Sequence, residues 1–121
     1  MALSGWLKWL PFGRVPELTA DKVLTMVTEG SVQILDVRTR DEWRRSHIAG
    51  ALNLPIMSFS RENVVALGLE KERPIIAICL SAHRSIPAVR QLKAMGYSNV
   101  YQLESGMRKW WQLGLPCEQP E

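Results

Sequence analysis

The chain has 121 residues, of which 46% are hydrophobic and 22% are charged, a composition that fits one folded globular domain and excludes an intrinsically disordered chain. Lysine and arginine outnumber aspartate and glutamate by 15 to 12, a formal net charge of +3, and because the basic residues are scattered we expect no nucleic-acid partner. The two cysteines, Cys79 and Cys117, are too few for a disulfide framework, and no secretory signal is recognisable, so we expect a reducing, cytoplasmic location.

The first 16 residues form an apolar arm that begins MALSGWLKWLPF. On a helix, Leu3, Trp6, Leu7 and Leu10 would share one face, which could pack on the domain or lie on a membrane surface. The apolar runs are too short to span a bilayer, and a single lysine offers little attraction to anionic lipid. We therefore expect the arm to pack on the domain and keep membrane-surface contact as the weaker alternative.

The first half of the domain alternates between helix-like and strand-like segments. In ELTADKVLTMVTEG, Thr19 is predicted to be the N-cap of a helix and Gly30 its C-terminal stop. The β-branched run VQILDV at 32–37 predicts a strand, and Thr39 and Glu42 have the spacing of a capping box that begins a short helix. GALNLP then indicates another short strand, and RENVVALGL a further helix.

The second half continues the alternation. PIIAIC is a continuous apolar run, as expected for a central strand that is covered on both faces, with Cys79 as its last residue. SIPAVRQLKAMG predicts a helix, NVYQL the last strand, and MRKWWQLG the last helix. Strands separated by helices imply crossover connections, so we predict an α/β fold with a mainly parallel central sheet and helices on both faces.

Cys79 is placed where ligands bind in such folds, beyond the carboxyl end of a strand. The backbone N–H groups of the following loop and helix start favour an anion, and therefore a thiolate over a thiol. Arg84 adds a guanidinium fork for an oxyanion, Ser81 a hydroxyl, and His83 a partial cation. The alternatives are that Cys79 is an inert core residue, Arg84 a surface residue and His83 a solvated loop residue.

Three ordered motifs carry a resemblance to a known family. CLSAHRS, at 79–85, resembles the active-site loop of rhodanese-like sulfurtransferases. LDVRTRDEWRRSHIAGALNLP, at 35–55, is similar to the upstream signature of that family, and LESGMRKWWQLGLP, at 103–116, to its C-terminal signature. The resemblance implies a rhodanese-like domain over residues 17–117, followed by a tail at 118–121.

The resemblance implies a sulfurtransferase in which Cys79 is the nucleophile and carries sulfur as a persulfide. It implies a small donor such as thiosulfate and a thiol or cyanide acceptor, or else a sulfur-carrier protein, with no cofactor and no metal. The implied substrate-binding residues are those of the loop: Leu80, Ser81, Ala82, His83, Arg84 and Ser85. Asp36 and Arg38 would support the loop through hydrogen bonds, and Glu42 most simply caps its helix.

Three positions depart from the family pattern. The chain has Ala82, Ser46 and Ser105 where glycine is usual. If the backbone at Ala82 needs a positive φ, the alanine is strained there or the loop differs slightly.

Two other functions remain open. A cysteine phosphatase loop also wraps an anion around a thiolate, but related loops have one residue more between cysteine and arginine than the four found here. A binding or regulatory module could keep the fold without turnover. Cys117 could receive sulfur from Cys79 as a resolving thiol, although an incidental exposed cysteine explains it more simply.

Overall fold

The computed structural model describes residues 9–11 and 13–119. Most of the apolar arm, and with it the prediction about membrane-surface contact, lies outside the described residues. The arm is held at Leu10, whose carbonyl accepts a hydrogen bond of 3.2 Å from the Arg90 side chain. Within the described residues, no helix combines the length and the apolar character needed to cross a membrane.

Five strands alternate with five helices along the chain. The strands are β1 (Glu17–Leu18), β2 (Gln33–Asp36), β3 (Leu52–Asn53), β4 (Ile75–Ile78) and β5 (Val100–Leu103). The helices are α1 (Ala20–Glu29), α2 (Arg40–Arg45), α3 (Arg61–Ala66), α4 (Ser85–Ala94) and α5 (Gly106–Gln112), with a 3-10 turn at Ile56–Ser58.

The strands form one parallel sheet in the order β1-β5-β4-β2-β3. The predicted α/β class with a parallel sheet is therefore confirmed, and β4 is the central strand, as its unbroken apolar run indicated. Strand β1 was not predicted, because two residues carry no periodicity of their own and pair with β5 only in the folded chain.

The ends of the first two helices follow the predicted capping residues. The Thr19 hydroxyl accepts from the backbone N–H of Lys22 at 3.3 Å, and Gly30 ends α1 in the left-handed conformation with φ 71°. Thr39 and Glu42 form the reciprocal capping box at the start of α2. These caps determine the residues at which α1 begins and ends and the residue at which α2 begins.

Side chains of the central strand alternate between two hydrophobic cores. Ile76 and Ile78 point into a core shared with α1 and α5, where Trp110 is fully buried. Ile75 and Ala77 point into the other core, beneath α3 and α4. Because the strand period is two residues, this alternation decides which face the residue after β4 occupies.

Candidate active site

Cys79 is the first residue after β4 and not the last residue of the strand as predicted. It continues the alternation of Ile75 and Ala77, so its side chain lies beneath α4. Its exposed fraction is 1%, and its Sγ lies 3.4 Å from the hydroxyl oxygen of Ser85. The sulfur is therefore at the predicted end of the sheet but enclosed by the protein instead of open at the rim.

The loop after Cys79 presents a row of backbone donors. In the described part of the chain, the N–H groups of residues 80–85 donate to no protein acceptor. The last of them, Ser85, is also the first residue of α4. The N-cap of this helix, Arg84, makes no side-chain capping bond. Unpaired N–H groups at the start of a helix favour an anion, so the loop has the donors that a negatively charged sulfur species requires.

Helix α5 fixes the carbonyl side of the same loop. The N–H of Met107 donates to the Cys79 carbonyl at 2.8 Å, and the N–H of Arg108 donates to the Leu80 carbonyl at 3.0 Å. These bonds also satisfy two of the donors at the start of α5. Helix and loop approach so closely that only a glycine, Gly106, fits between them.

Arg84 is paired with Glu42. Its two terminal nitrogens donate to the two carboxylate oxygens at 2.7 Å and 3.0 Å, a bidentate ion pair. The hydrogen bonds from Arg84 lower the pKa of Glu42 from 4.5 to about 2, against the opposing effect of burial and with help from Thr39. The same pairing raises the pKa of Arg84. Glu42 thus caps α2, as predicted, and also holds the guanidinium, which was not predicted.

The other two polar side chains of the loop lie toward solvent. His83 is exposed, and its Nδ1 lies 3.1 Å from the Ser81 hydroxyl. Among the described residues, neither side chain hydrogen-bonds to the Cys79 sulfur. Of the six predicted substrate-binding residues in that part of the chain, Ser85 alone has a side-chain hydrogen bond with the sulfur.

Asp36, the last residue of β2, and Arg38 form a buried ion pair of 2.7 Å. Arg38 also donates to the Ser46 carbonyl at 2.6 Å, which ties the end of the strand to the end of α2. The side-chain amide of Asn53 donates to the backbone carbonyls of Asp36 and Arg38. The indole of Trp111 lies 5.7 Å from the Arg38 guanidinium and provides a cation–π contact.

The backbone at Ala82 has φ 67°, in the left-handed region that glycine adopts without strain. Ser105 is also left-handed, with φ 60°. Ser46 is extended, with φ −169°, and needs no glycine. Two of the three departures from the family pattern are therefore strained positions, and the third is not.

Replacing Ala82 with glycine is expected to raise the free energy of unfolding by about 0.5–1 kcal/mol. The left-handed conformation costs a residue with a Cβ about 1–2 kcal/mol, which exceeds the roughly 0.5–1 kcal/mol lost to the greater freedom of glycine in the unfolded chain. Urea denaturation followed by circular dichroism would measure the change. Ser46→Gly is the control, because it removes the hydroxyl that accepts from Trp111 at 3.0 Å and should lower the stability. A fall in both variants would contradict the strain at Ala82.

Gln102 and Glu17 are two polar residues that are linked to the sulfur through Ser85 and that were not predicted from the sequence. Gln102 of β5 accepts a hydrogen bond from Ser85 and donates one to Glu17 of β1. The available signal was the amide in NVYQL, because a polar side chain on a strand face that packs in the core needs a buried partner.

Cys117 is half-buried against the core beneath α1 and α5, and is not the exposed thiol that was expected. Both cysteines are free. Over residues 9–11 and 13–119, no group of three or more histidine, cysteine, aspartate or glutamate side chains is arranged to hold a metal ion.

Comparison with known proteins identifies the family to which the chain is similar. The model of the family described as "Rhodanese-like domain" matches residues 19–113. The solution structure of a rhodanese-like domain from an Anabaena protein is 29% identical in sequence and superposes with a TM-score of 0.76, covering 88% of this chain and 80% of the other.

Two curated relatives have names that mention sulfur. The protein named thiosulfate sulfurtransferase GlpE from Shewanella oneidensis is 30% identical over 95 residues, which cover 77% of this chain and 89% of that protein. The protein named putative sulfur carrier protein YrkF from Bacillus subtilis is 32% identical over 97 residues. That match covers 79% of this chain but only 51% of the relative.

Proposed function

This chain belongs to the rhodanese-like domain family, and from that premise we propose that it moves a sulfane sulfur from a donor such as thiosulfate to a thiophilic acceptor through a persulfide on Cys79. The observation that carries the proposal is the position of Cys79 at the carboxyl end of the central strand, directly before six backbone N–H groups that have no acceptor among the described residues. A nucleophile beside preorganised donors is the arrangement that covalent transfer of an anionic group requires.

In the first step the Cys79 thiolate attacks the outer sulfur of thiosulfate. A new sulfur–sulfur bond forms, the original one breaks, and sulfite leaves with the bonding electron pair. The N–H groups of residues 80–85 would stabilise the negative charge on the transferred sulfur. Arg84 would bind the sulfonate oxygens, because a guanidinium fork matches two oxygens of an oxyanion.

In the second step a nucleophilic acceptor attacks the terminal sulfur of the persulfide. The new bond to the acceptor forms while the Cys79 sulfur leaves with the electron pair, which restores the thiolate. Cyanide would yield thiocyanate, and a thiolate would yield a new persulfide. The similarity to a protein named as a putative sulfur carrier supports a protein acceptor. Because the cycle needs reduced Cys79, we place it in a reducing compartment such as the cytoplasm.

Incubation with thiosulfate followed by intact-mass measurement tests this proposal. The protein is expected to gain the mass of one sulfur atom, to carry it on the peptide that contains Cys79, and to lose it on addition of cyanide. Peptide mapping separates Cys79 from Cys117. A chain that gains no sulfur from thiosulfate or from a persulfide donor would contradict the proposal.

A binding module without turnover is the second candidate function. The enclosed sulfur, with an exposed fraction of 1%, and the pairing of Arg84 with Glu42 favour it. A donor must reach the sulfur through the loop and must compete for the guanidinium. The mass experiment separates the two functions, because a binding module retains both thiols unmodified.

Replacing Glu42 with glutamine is expected to lower the KM for thiosulfate by about two- to fivefold, with little change in kcat. Partly exposed ion pairs are worth about 0.2–1 kcal/mol, and removal of the charge weakens the hold on Arg84 and makes its guanidinium more available to the donor. Glutamine still accepts from the Thr39 N–H and therefore keeps the capping box. Since the pKa of Glu42 is held at about 2, the carboxylate stays charged throughout the neutral range, and the comparison is valid at any assay pH there.

Glu29→Gln is the matched control for this measurement. It removes one carboxylate at the exposed end of α1 and should leave the KM unchanged. A higher KM in Glu42→Gln would contradict competition by Glu42 and would mean that Glu42 orients Arg84 toward the donor.

A further inference from the structure

A chain of hydrogen bonds leads from the Cys79 sulfur to the edge of the sheet. The sulfur lies 3.4 Å from the Ser85 hydroxyl, which donates to the Gln102 Oε1 at 2.6 Å. The Gln102 Nε2 in turn donates to the Glu17 carboxylate at 2.7 Å. Ser85 and Gln102 are buried, whereas Glu17 is exposed at the sheet edge.

The sheet places these groups in line. Gln102 of β5 pairs in register with Ala77 of β4 on one side and with Glu17 of β1 on the other. Ser85, the first residue of α4, reaches Gln102 from above. The network therefore crosses from the central strand to the edge strand on the face where Cys79 lies.

Chemistry fixes the direction of every bond in this network. A carboxylate only accepts, so the Gln102 amide must turn its Nε2 toward Glu17 and its Oε1 toward Ser85. The Ser85 hydroxyl has one proton, which it donates to that oxygen. The side of Ser85 that faces Cys79 therefore presents only lone pairs, which accept a proton from a thiol and repel a thiolate.

A negatively charged sulfur at Cys79 therefore has no donor in this network. Either the thiolate faces the Ser85 lone pairs without a donor, or the hydroxyl turns toward the sulfur and leaves the Gln102 Oε1 buried and unpaired. The amide cannot flip to relieve this, because Glu17 holds its Nε2. The network thus opposes the loop N–H groups, which favour the anion.

We propose that Glu17 and Gln102 are positioning residues that act through Ser85: they hold the Ser85 proton away from the Cys79 sulfur and so lower the reactivity of that sulfur in the resting protein. The proposal rests on the proposed role of Cys79 as the sulfur acceptor, and assigns to residues outside the loop the control of when that sulfur is reactive. Its prediction is that cutting the network between Ser85 and Glu17 makes the sulfur more reactive, not less.

The test measures the alkylation rate of Cys79 by iodoacetamide at a fixed, near-neutral pH, with peptide mass mapping to separate Cys79 from Cys117. In Gln102→Met the Ser85 hydroxyl loses its acceptor and turns to the sulfur. A hydrogen bond to a charged group is worth about 1.5–3 kcal/mol, so the rate is expected to rise about tenfold or more. The ultraviolet absorbance of the thiolate should rise with it in a Cys117→Ser background.

Two further variants and one control separate an effect on the position of the Ser85 proton from effects of packing and of charge. Ser85→Ala removes the hydroxyl that lies 3.4 Å from the sulfur and would donate to the thiolate, and it should show a much smaller rise than Gln102→Met. Glu17→Gln lets the Gln102 amide flip, and should raise the rate severalfold. Glu104→Gln removes an exposed carboxylate outside the network and should not.

Three results would overturn the proposal: no increase in Gln102→Met, an equal increase in Ser85→Ala, or equal effects of Glu17→Gln and Glu104→Gln. If Gln102→Met does not fold, the comparison of Glu17→Gln with Glu104→Gln decides alone. Alkylation requires no sulfur donor, so these results are independent of whether thiosulfate loads the protein. Failure of the proposed sulfur transfer would therefore be recognised separately, in the mass experiment with thiosulfate.

Discussion

Replacing Cys79 with serine is expected to abolish thiocyanate formation from thiosulfate and cyanide, with a loss on the order of a thousandfold or more. A serine hydroxyl cannot form the persulfide, and removal of the nucleophile from a covalent mechanism eliminates the whole chemical route. Release of sulfite should stop with it. Because the serine would still hydrogen-bond to Ser85, the variant should fold, and circular dichroism would verify this.

Cys117→Ser is the matched control for that assay, since it removes the other thiol. It should retain the activity of the unmodified chain and still gain one sulfur atom on Cys79. Loss of activity in Cys117→Ser with retention in Cys79→Ser would transfer the role of sulfur carrier to Cys117. Absence of activity in all three proteins, the unmodified chain included, would favour the binding module.

Replacing Gly106 with alanine is expected to destabilise the fold by about 2–4 kcal/mol. The added Cβ would lie against the Cys79 carbonyl and 2.6 Å from the carbonyl carbon of Leu80, both of them backbone atoms that cannot turn aside. Overpacking of this kind costs about 1–3 kcal/mol, and the positive φ of 57° adds about 0.5–1 kcal/mol once the greater freedom of glycine in the unfolded chain is subtracted. Urea denaturation followed by tryptophan fluorescence would measure the change.

Gly30→Ala isolates the backbone part of that effect. Gly30 has φ 71°, but an added Cβ there meets no atom within 4 Å, so the expected destabilisation is only about 0.5–1 kcal/mol, as for the left-handed position at Ala82. Gly106→Ala should also impair sulfur transfer beyond its loss of stability, because it displaces the residue that carries the nucleophile. Equal destabilisation of the two variants would contradict the close approach of α5 to the loop.

The elements predicted from the sequence were those with a local physical cause. Thr19, Gly30 and the pair of Thr39 and Glu42 fix helix ends through bonds between neighbours in the chain, and the structure has all of them. The unbroken apolar run of β4 predicted a strand buried on both faces. Strand β1 escaped prediction because its pairing partner, β5, lies more than 80 residues away.

In the candidate site, too, the features with a local cause could be predicted and those that depend on the fold could not. The loop from Cys79 to Ser85 is continuous in sequence, so its position could be predicted. The departure from glycine at Ala82 raised the question of a positive φ there, and the structure answers it. The pairing of Arg84 with Glu42, across 42 positions, depends on how α2 and the loop meet in three dimensions. The contact of Gln102 with Glu17 requires the strand order, which spacing along the chain does not encode.

The enclosure of Cys79 bears on what kind of acceptor the protein could serve. A persulfide formed there would be buried in the domain and therefore shielded from thiols in the surrounding solution. Delivery would then be governed by entry: only an acceptor slender enough to pass the loop, or able to displace it, would collect the sulfur. Selectivity of this kind needs no tight binding, since it depends on which acceptors can reach the buried sulfur.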